Sequence, residues 1–519
     1  MGTNPSATDV RMGTPAGRWL LLATISGEGM VMLDTTVVNI ALPSIGRDLG
    51  ADFGTLQWII NAYTLTLAAL ILLAGALGDR FGRRRIFLLG VVWFAVASLL
   101  CGLAPTAQVL VAARALQGVG GALLTPGSLA IISSAFVATD RAKAVGAWSG
   151  LSGVAAAIGP FAGGWLVTLN WRAVFLVNLP VAVLIVAVSL RHVPESSNAD
   201  SPPRLDVAGA ALAAAGLAGV TYALTSLGGE HRGGIKDTAL LAAGAGGVAA
   251  LLAFVLVQRR SPHPLVPLEM FADRIFRRAN VVTLLVYAGL GVFFFLLVLQ
   301  LQIVAGFSPF VAGTALLPVT ALMLLLSSRA GALAERIGAR LPLAMGTLLA
   351  AAGLLLALRI GRGASYLVDV LPAVVVLGLG LSLTVAPLTA TVLGSADPRY
   401  AGTASGVNNA IARTGSLLAV AVIPVAAGLG GADYVDSLSF DPGFRTAMLI
   451  SAALLAVGSL IAVVPLHEPR PSPVPGAPER IPVERCTHCG VTGPQLHPVV
   501  LMGPDRGAGP VRRSPPSSE

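Results

Sequence analysis

Gly75-Ala-Leu-Gly78-Asp79-Arg80-Phe-Gly82-Arg83-Arg84-Arg85 is written twice in this chain. The second copy, Gly331-Ala-Leu-Ala-Glu335-Arg336-Ile-Gly338-Ala-Arg340, follows 256 residues later. The same offset relates Gly90 to Gly346, Gly146 to Gly402 and Gly150 to Gly406. Each copy lies between two long apolar segments. A polar loop repeated between membrane spans means a duplicated helical bundle, which is a common way to build a central site between two halves.

Composition agrees. Hydrophobic residues make up 55% of the 519 and charged residues only 11%, against about 25% charged in soluble domains. Mean hydropathy is +0.81. Apolar runs of 18 residues or more are long enough to span a hydrocarbon core of about 30 Å. A membrane β-barrel would instead show short alternating segments. The expected fold class is therefore an all-α polytopic membrane protein. The net charge of +9 is mostly Arg in short loops, so it reports topology rather than nucleic-acid binding. No Walker A pattern is present, so an ATPase on this chain is not expected.

Fourteen candidate spans can be counted. They group as a cytoplasmic N-terminus (1–17), a six-helix bundle (18–191), two inserted helices (206–257), a second six-helix bundle (279–466) and a Pro-, Arg- and Ser-rich tail (467–519) that reads as disordered. With the N-terminus inside, the inner segments before the tail hold eighteen Arg and Lys and the outer loops seven. That asymmetry places both termini in the cytoplasm. The inserted pair is rich in Ala, Gly, Leu and Val and reads as a packing element between the halves.

Ionisable groups inside spans are costly, at roughly 2.5–3.5 kcal/mol each, so they point to chemistry. Asp34 lies deep in the first span, in Leu33-Asp34-Thr-Thr-Val-Val-Asn39-Ile-Ala-Leu-Pro43. It is either a carboxylate satisfied by neighbouring helices or a protonatable group facing a cavity. Glu28 is six residues earlier, which is about 9 Å of rise and about 240° of turn. The two acids do not share one strip, though both can border a wide cavity. Arg114, on the fourth span in Arg114-Ala-Leu-Gln117-Gly118, stays charged and needs a partner; Asp34 and Glu28 are the candidates. Separation of such a pair would couple protonation to conformation.

Gly153 and Gly159-Pro160-Phe-Ala-Gly163-Gly164 give the fifth span a kink and a flat face, read either as tight packing or as a hinge that seals the cavity in one state. In the repeated loop, Gly75 and Gly82 permit a tight turn. Asp79 is expected against a facing helix N-terminus, and Arg80, Arg83, Arg84 and Arg85 to pair with acids or anionic headgroups. This loop is expected to latch one conformation. Trp58, Asn61 and Tyr63 on the second span, Gln300 and Gln302 on the ninth, and Asn408, Asn409 and Arg413 on the thirteenth are candidate cavity contacts, with helix–helix contact the open alternative. Cys486-Thr-His488-Cys489 is half a zinc site at most, and no metal is expected.

These motifs resemble the major facilitator superfamily, and within it the fourteen-helix drug:proton antiporters, over residues 18–466. Gly75 to Arg85 resembles the superfamily's loop 2–3 signature. Leu33 to Pro43 resembles a first-helix element of the fourteen-helix exporters, and Gln57-Trp58 with Tyr63 fits their second helix. Arg114 to Gly118 resembles the helix 4 signature, whose Arg is tied to proton transfer. Gly159 to Gly164 resembles the helix 5 antiporter motif, with Ala155 where a leading Gly is usual. Gly402-Thr-Ala-Ser-Gly406 through Arg413 resembles the helix 13 element. The resemblance implies two six-helix bundles plus two inserted helices. It implies alternating access without a cofactor, driven by the proton gradient. Expected partners are small hydrophobic substrates, protons and membrane lipids, with the protein working as a monomer.

Overall fold

A computed structural model describes residues 10–197, 205–227, 235–396, 400–430 and 437–464. The Cys486/Cys489 tail and the topology-bearing Arg204, Arg232 and Arg399 fall outside these residues. Apart from an isolated bridge between Val10 and Phe136, the regular structure described is helical.

In chain order the long helices of the first half are α1 (Pro15–Leu49), α2 (Phe53–Phe81), α3 (Arg83–Gly102), α4 (Ala107–Ala135), α5 (Ala138–Leu169) and α6 (Ala173–His192). Two further helices follow, α7 (Val207–Ser226) and α8 (Ile235–Arg260). The second half is α9 (Arg274–Val304), α10 (Pro309–Ile337), α11 (Arg340–Arg359), α12 (Tyr366–Ser395), α13 (Ala401–Ala426) and α14 (Ser437–Val463). Among the described residues, thirteen helices are long and apolar enough to cross a membrane. The exception is α5, whose apolar stretch of described residues is the shorter Ile158–Leu169.

Local chemistry sets the ends. Thr14 caps α1 by accepting from Gly17 N at 3.2 Å, with Pro15 at the first helical position, and Gly50 ends it with φ of 59°. Asp52 caps α2 by accepting from Thr55 N at 2.8 Å. Such caps replace the amide partners that a helix start lacks.

The duplication is visible in the packing. In the first half α1 packs on α5, and both α2 and α3 on α4; in the second, α9 packs on α13, and both α10 and α11 on α12. The repeated glycines explain part of this. A Cβ on Gly90 would lie 2.8 Å from Leu124 N, and one on Gly346 2.8 Å from Gly380 O. Each therefore lets two helices of its half touch backbone to backbone. The repeated loops also turn alike, with φ of 107° at Gly82 and 86° at Gly338, a region that favours glycine.

α7 packs on α2 and on α13. Leu217 joins Leu65, Ala69 and Leu417 in one apolar cluster, so α7 bridges the halves along one side. α8 pairs with α7 and exposes Leu241, Leu252 and Leu256. Apolar side chains such as Leu103, Val183, Leu190 and Leu325 are likewise exposed on the bundle's exterior. In a soluble protein that would be a liability, whereas it is the surface a bilayer solvates.

Candidate functional site

The centre of the first half is an ion pair with almost no solvent contact. Arg114 Nη1 donates to Asp34 Oδ2 at 2.5 Å, and the two side chains are 1% and 0% exposed. Of the two acids that could pair with Arg114, the structure places Asp34 there. Close helix packing makes the pair possible. A Cβ on Gly118 would collide with Thr66 Oγ1 and the Tyr63 carbonyl, so only glycine lets α4 lie this near α2. Thr66 Oγ1 then reaches Ala115 O at 2.9 Å. The Tyr63 ring covers the guanidinium, 4.2 Å from its centroid, with Phe175 at 5.9 Å. Arg114 Nε donates to Ile59 O at 3.1 Å.

Gln117 completes the constellation. Its Oε1 accepts from Arg114 Nη1 at 2.7 Å, and its Nε2 donates to Asp34 Oδ1 at 2.8 Å. Nε2 also donates to Ser98 Oγ at 2.8 Å, and Ser98 accepts a second bond from Asn178 Nδ2 at 3.2 Å. Sequence reasoning quoted Gln117 within its motif but gave it no role, and it missed Ser98 and Asn178. A buried serine in an apolar span carries no signal of its own, since its hydroxyl can bond back to its own helix.

Glu28 is 3% exposed and lies apart from this pair. Its surroundings are Thr125, Ser128 and, from the second half, the charge of Arg413. Its Oε2 has no hydrogen-bond partner, and neither do Tyr63 Oη or the Asn61 amide atoms. Arg413 Nε donates to Asn409 Oδ1 at 3.3 Å. Thus Glu28, Tyr63 and Arg413 lie near one another across the boundary between halves, with Asn409 beside Arg413.

The other candidate cavity residues make contacts with neighbouring segments. Trp58 faces Tyr222 of α7, with ring centroids 6.4 Å apart. Gln300 is fully buried and donates to Ile360 O and Asp441 Oδ1 inside the second half. Asn408 donates to Asn280 and Thr283 of α9. Gln302 joins the halves, donating to Ile40 O at 3.0 Å, and so does Gln57, donating to Val420 O at 2.7 Å.

The glycines of α5 meet the second half at the same end. A Cβ on Gly164 would lie 2.8 Å from Phe310 Cα. One on Gly313 would collide with the Pro160 carbonyl, and Phe161 meets Phe310 edge-on at 5.4 Å. Gly159 and Gly163 face α1 instead, at Thr36 and Val37. The Gly153 side of α5 falls on residues whose surroundings are not described. The contacts of Gln302, Gln57, Gly164 and Gly313 lie at the end opposite the two repeated loops, whereas Gly406 meets Leu72 beside the first loop.

At the repeated loop, Asp79 differs from its expected placement. It accepts from its own neighbour Arg83, at 2.9 and 2.8 Å. The carboxylate at a helix N-terminus is Glu195, which sequence reasoning did not single out. Glu195 Oε1 accepts from Arg84 N at 3.0 Å, and its Oε2 lies 3.8 Å from Arg84 Nε and 3.6 Å from Arg85 Nε. A negative group there is favoured by the helix dipole. Gly82 leaves room for it: a Cβ would lie 2.7 Å from Glu195 Oε1. Gly75 faces Pro126 of α4, and Arg80 lies over the Phe81 ring.

Two similar six-helix halves of membrane-spanning helices, with charges buried inside them, are the architecture of a membrane transporter. The chain belongs to the Major Facilitator Superfamily, whose family model matches residues 24–420. It is 36% identical to puromycin resistance protein pur8 of Streptomyces alboniger, over 87% of this chain and 91% of that protein. It is 35% identical to multidrug resistance protein Stp of Mycobacterium tuberculosis, over 78% of this chain and 74% of that protein. Among solved structures, the POT family transporter PepTSo matches with a TM-score of 0.64 at 16% identity, covering 86% of this chain and 97% of that one. That likeness speaks to the fold alone.

Proposed function

We propose that this protein is a proton-coupled antiporter that exports hydrophobic, cationic drugs or antibiotics across the cytoplasmic membrane. The observation that carries the reading is the buried Asp34–Arg114 pair bridged by Gln117. A charge pair withdrawn from solvent is costly to keep, and a carboxylate there can exchange its arginine for a proton. On this reading the chain crosses fourteen times, with α5 as the fifth span, and the Arg and Lys asymmetry favours a cytoplasmic side for both termini and both repeated loops. The seal at the opposite end is then the outer seal, and the conformation opens inward. A proton that arrives from outside on Asp34 releases Arg114 and biases the halves toward inward opening, and its departure to the cytoplasm re-forms the Asp34–Arg114 pair seen here. Substrate entering beside Glu28, Tyr63 and Arg413 is then carried outward as the proton leaves. The coupling requires only that proton and substrate bind the two states differently. The protein works as a monomer.

Dedicated export of one endogenous metabolite, such as an antibiotic, is the second reading, favoured by the likeness to a protein named for puromycin resistance. One experiment tests the coupling common to both. Everted membrane vesicles energised by respiration are expected to accumulate ethidium or puromycin, and nigericin, which dissipates the pH gradient, is expected to abolish the accumulation. Accumulation that survives nigericin and valinomycin together, which remove the membrane potential as well as the pH gradient, would refute proton coupling.

A further inference from the structure

The ion pair has a third member whose orientation is itself held in place. Gln117 has two amide hydrogens and one carbonyl oxygen, and all are spent. Its hydrogens go to Asp34 and Ser98, and its oxygen receives Arg114 at 2.7 Å and the Cys101 thiol at 3.5 Å. Chemistry allows only this orientation. Rotated by half a turn, the amide would put its oxygen against the Asp34 carboxylate and its NH2 against the guanidinium. Ser98 anchors the amide from α3, and Asn178, on α6, anchors Ser98. Asn178, Ser98 and Gln117 are 3%, 0% and 0% exposed, so all three links are shielded from bulk solvent.

We propose that Asn178 and Ser98 are positioning residues for the proton site: they fix the Gln117 amide so that it donates to the ionised Asp34, and thereby set the pH at which Asp34 accepts a proton. This rests on the reading of Asp34 as that site. The other titratable and charged groups facing Asp34 are Arg114 from α4, the Tyr63 phenol from α2 and the Cys101 thiol from α3. α6 contributes the Phe175 ring and the Asn178 amide. Glu28, six residues earlier on α1, belongs to the Arg413 side. None of these is removed by substituting Ser98 or Asn178, so such variants address the amide alone. A donor to the ionised form favours that form. Loosening the amide therefore lets Asp34 hold its proton to higher pH.

The test is infrared difference spectroscopy of the purified full chain in lipid, titrated through pH without substrate. The band of a protonated carboxyl that is lost in Asp34→Asn reports Asp34. In Ser98→Ala and in Asn178→Ala its midpoint is expected to move up by about one pH unit, a tenfold change in proton concentration. Ser98→Thr, which keeps the hydroxyl, is expected to titrate like the unsubstituted protein. A titrating Asp34 band whose midpoint is unmoved in both alanine variants overturns the inference. If Asp34→Asn removes no titrating band, the failure lies with Asp34 as the proton site instead. Should one alanine variant fail to fold, the other still decides, because each breaks a different link.

Discussion

Arg114→Met is expected to be among the most damaging single substitutions in the first half, and adding Asp34→Leu is expected to restore folding without restoring transport. The single change leaves the Asp34 carboxylate fully buried, its remaining hydrogen-bond donor being Gln117. It also deletes the bond to Ile59 O and the guanidinium stacked on Tyr63. Breaking a buried pair from one side costs about 3–5 kcal/mol, whereas replacing both partners with apolar groups of similar volume is often neutral. Thermal unfolding in detergent checks the stability, and vesicle transport checks the function. A double variant as unstable as the single one would mean that packing around Arg114, rather than its charge, dominates. Recovery of stability with transport still absent would separate the structural role of the pair from its use in coupling.

Gly164→Leu is expected to slow export by holding the halves apart where they now close. Gly164 meets Phe310 backbone to backbone, and Gly313 meets Pro160 in the same way. A leucine there overpacks the seal by about 1–3 kcal/mol, which shifts a two-state balance by roughly 5- to 150-fold away from the closed end. The variant is expected to fold, because the strain is relieved by opening rather than by unfolding. A cysteine placed at Phe310 reads the outcome: a thiol reagent added from outside is expected to label it faster in the Gly164→Leu background. Equal labelling with normal export would show that this contact is not the moving seal.

The repeat that opens the chain made most of the architecture legible. Two copies of one loop, flanked by apolar runs, imply two halves, and the helix pairings of α1–α5 and α9–α13 follow that duplication. Asp34 and Arg114 were legible because a charge in an apolar span demands a partner. Their supporting residues were not. Ser98 and Asn178 are unremarkable as single letters, and only packing of α3, α4 and α6 brings them into one chain. Glu195 reads as an ordinary acid after the sixth span, 111 residues from the Arg84 amide it meets. For Trp58 and Gln300 the sequence left two readings open, because polar and aromatic groups in spans satisfy helix contacts as readily as they line cavities. The partner of Trp58 is an inserted helix.

Proton-coupled export is expected to depend on Asp34 above any other residue. The protein, reconstituted in liposomes with a pH-sensitive dye inside, would be held under an imposed pH gradient while ethidium or puromycin is added, with Asp34→Asn alongside. Substrate-triggered proton movement in the unsubstituted protein, absent in the folded variant, is the predicted result. Equal proton movement in both would contradict it and remove Asp34 from the mechanism.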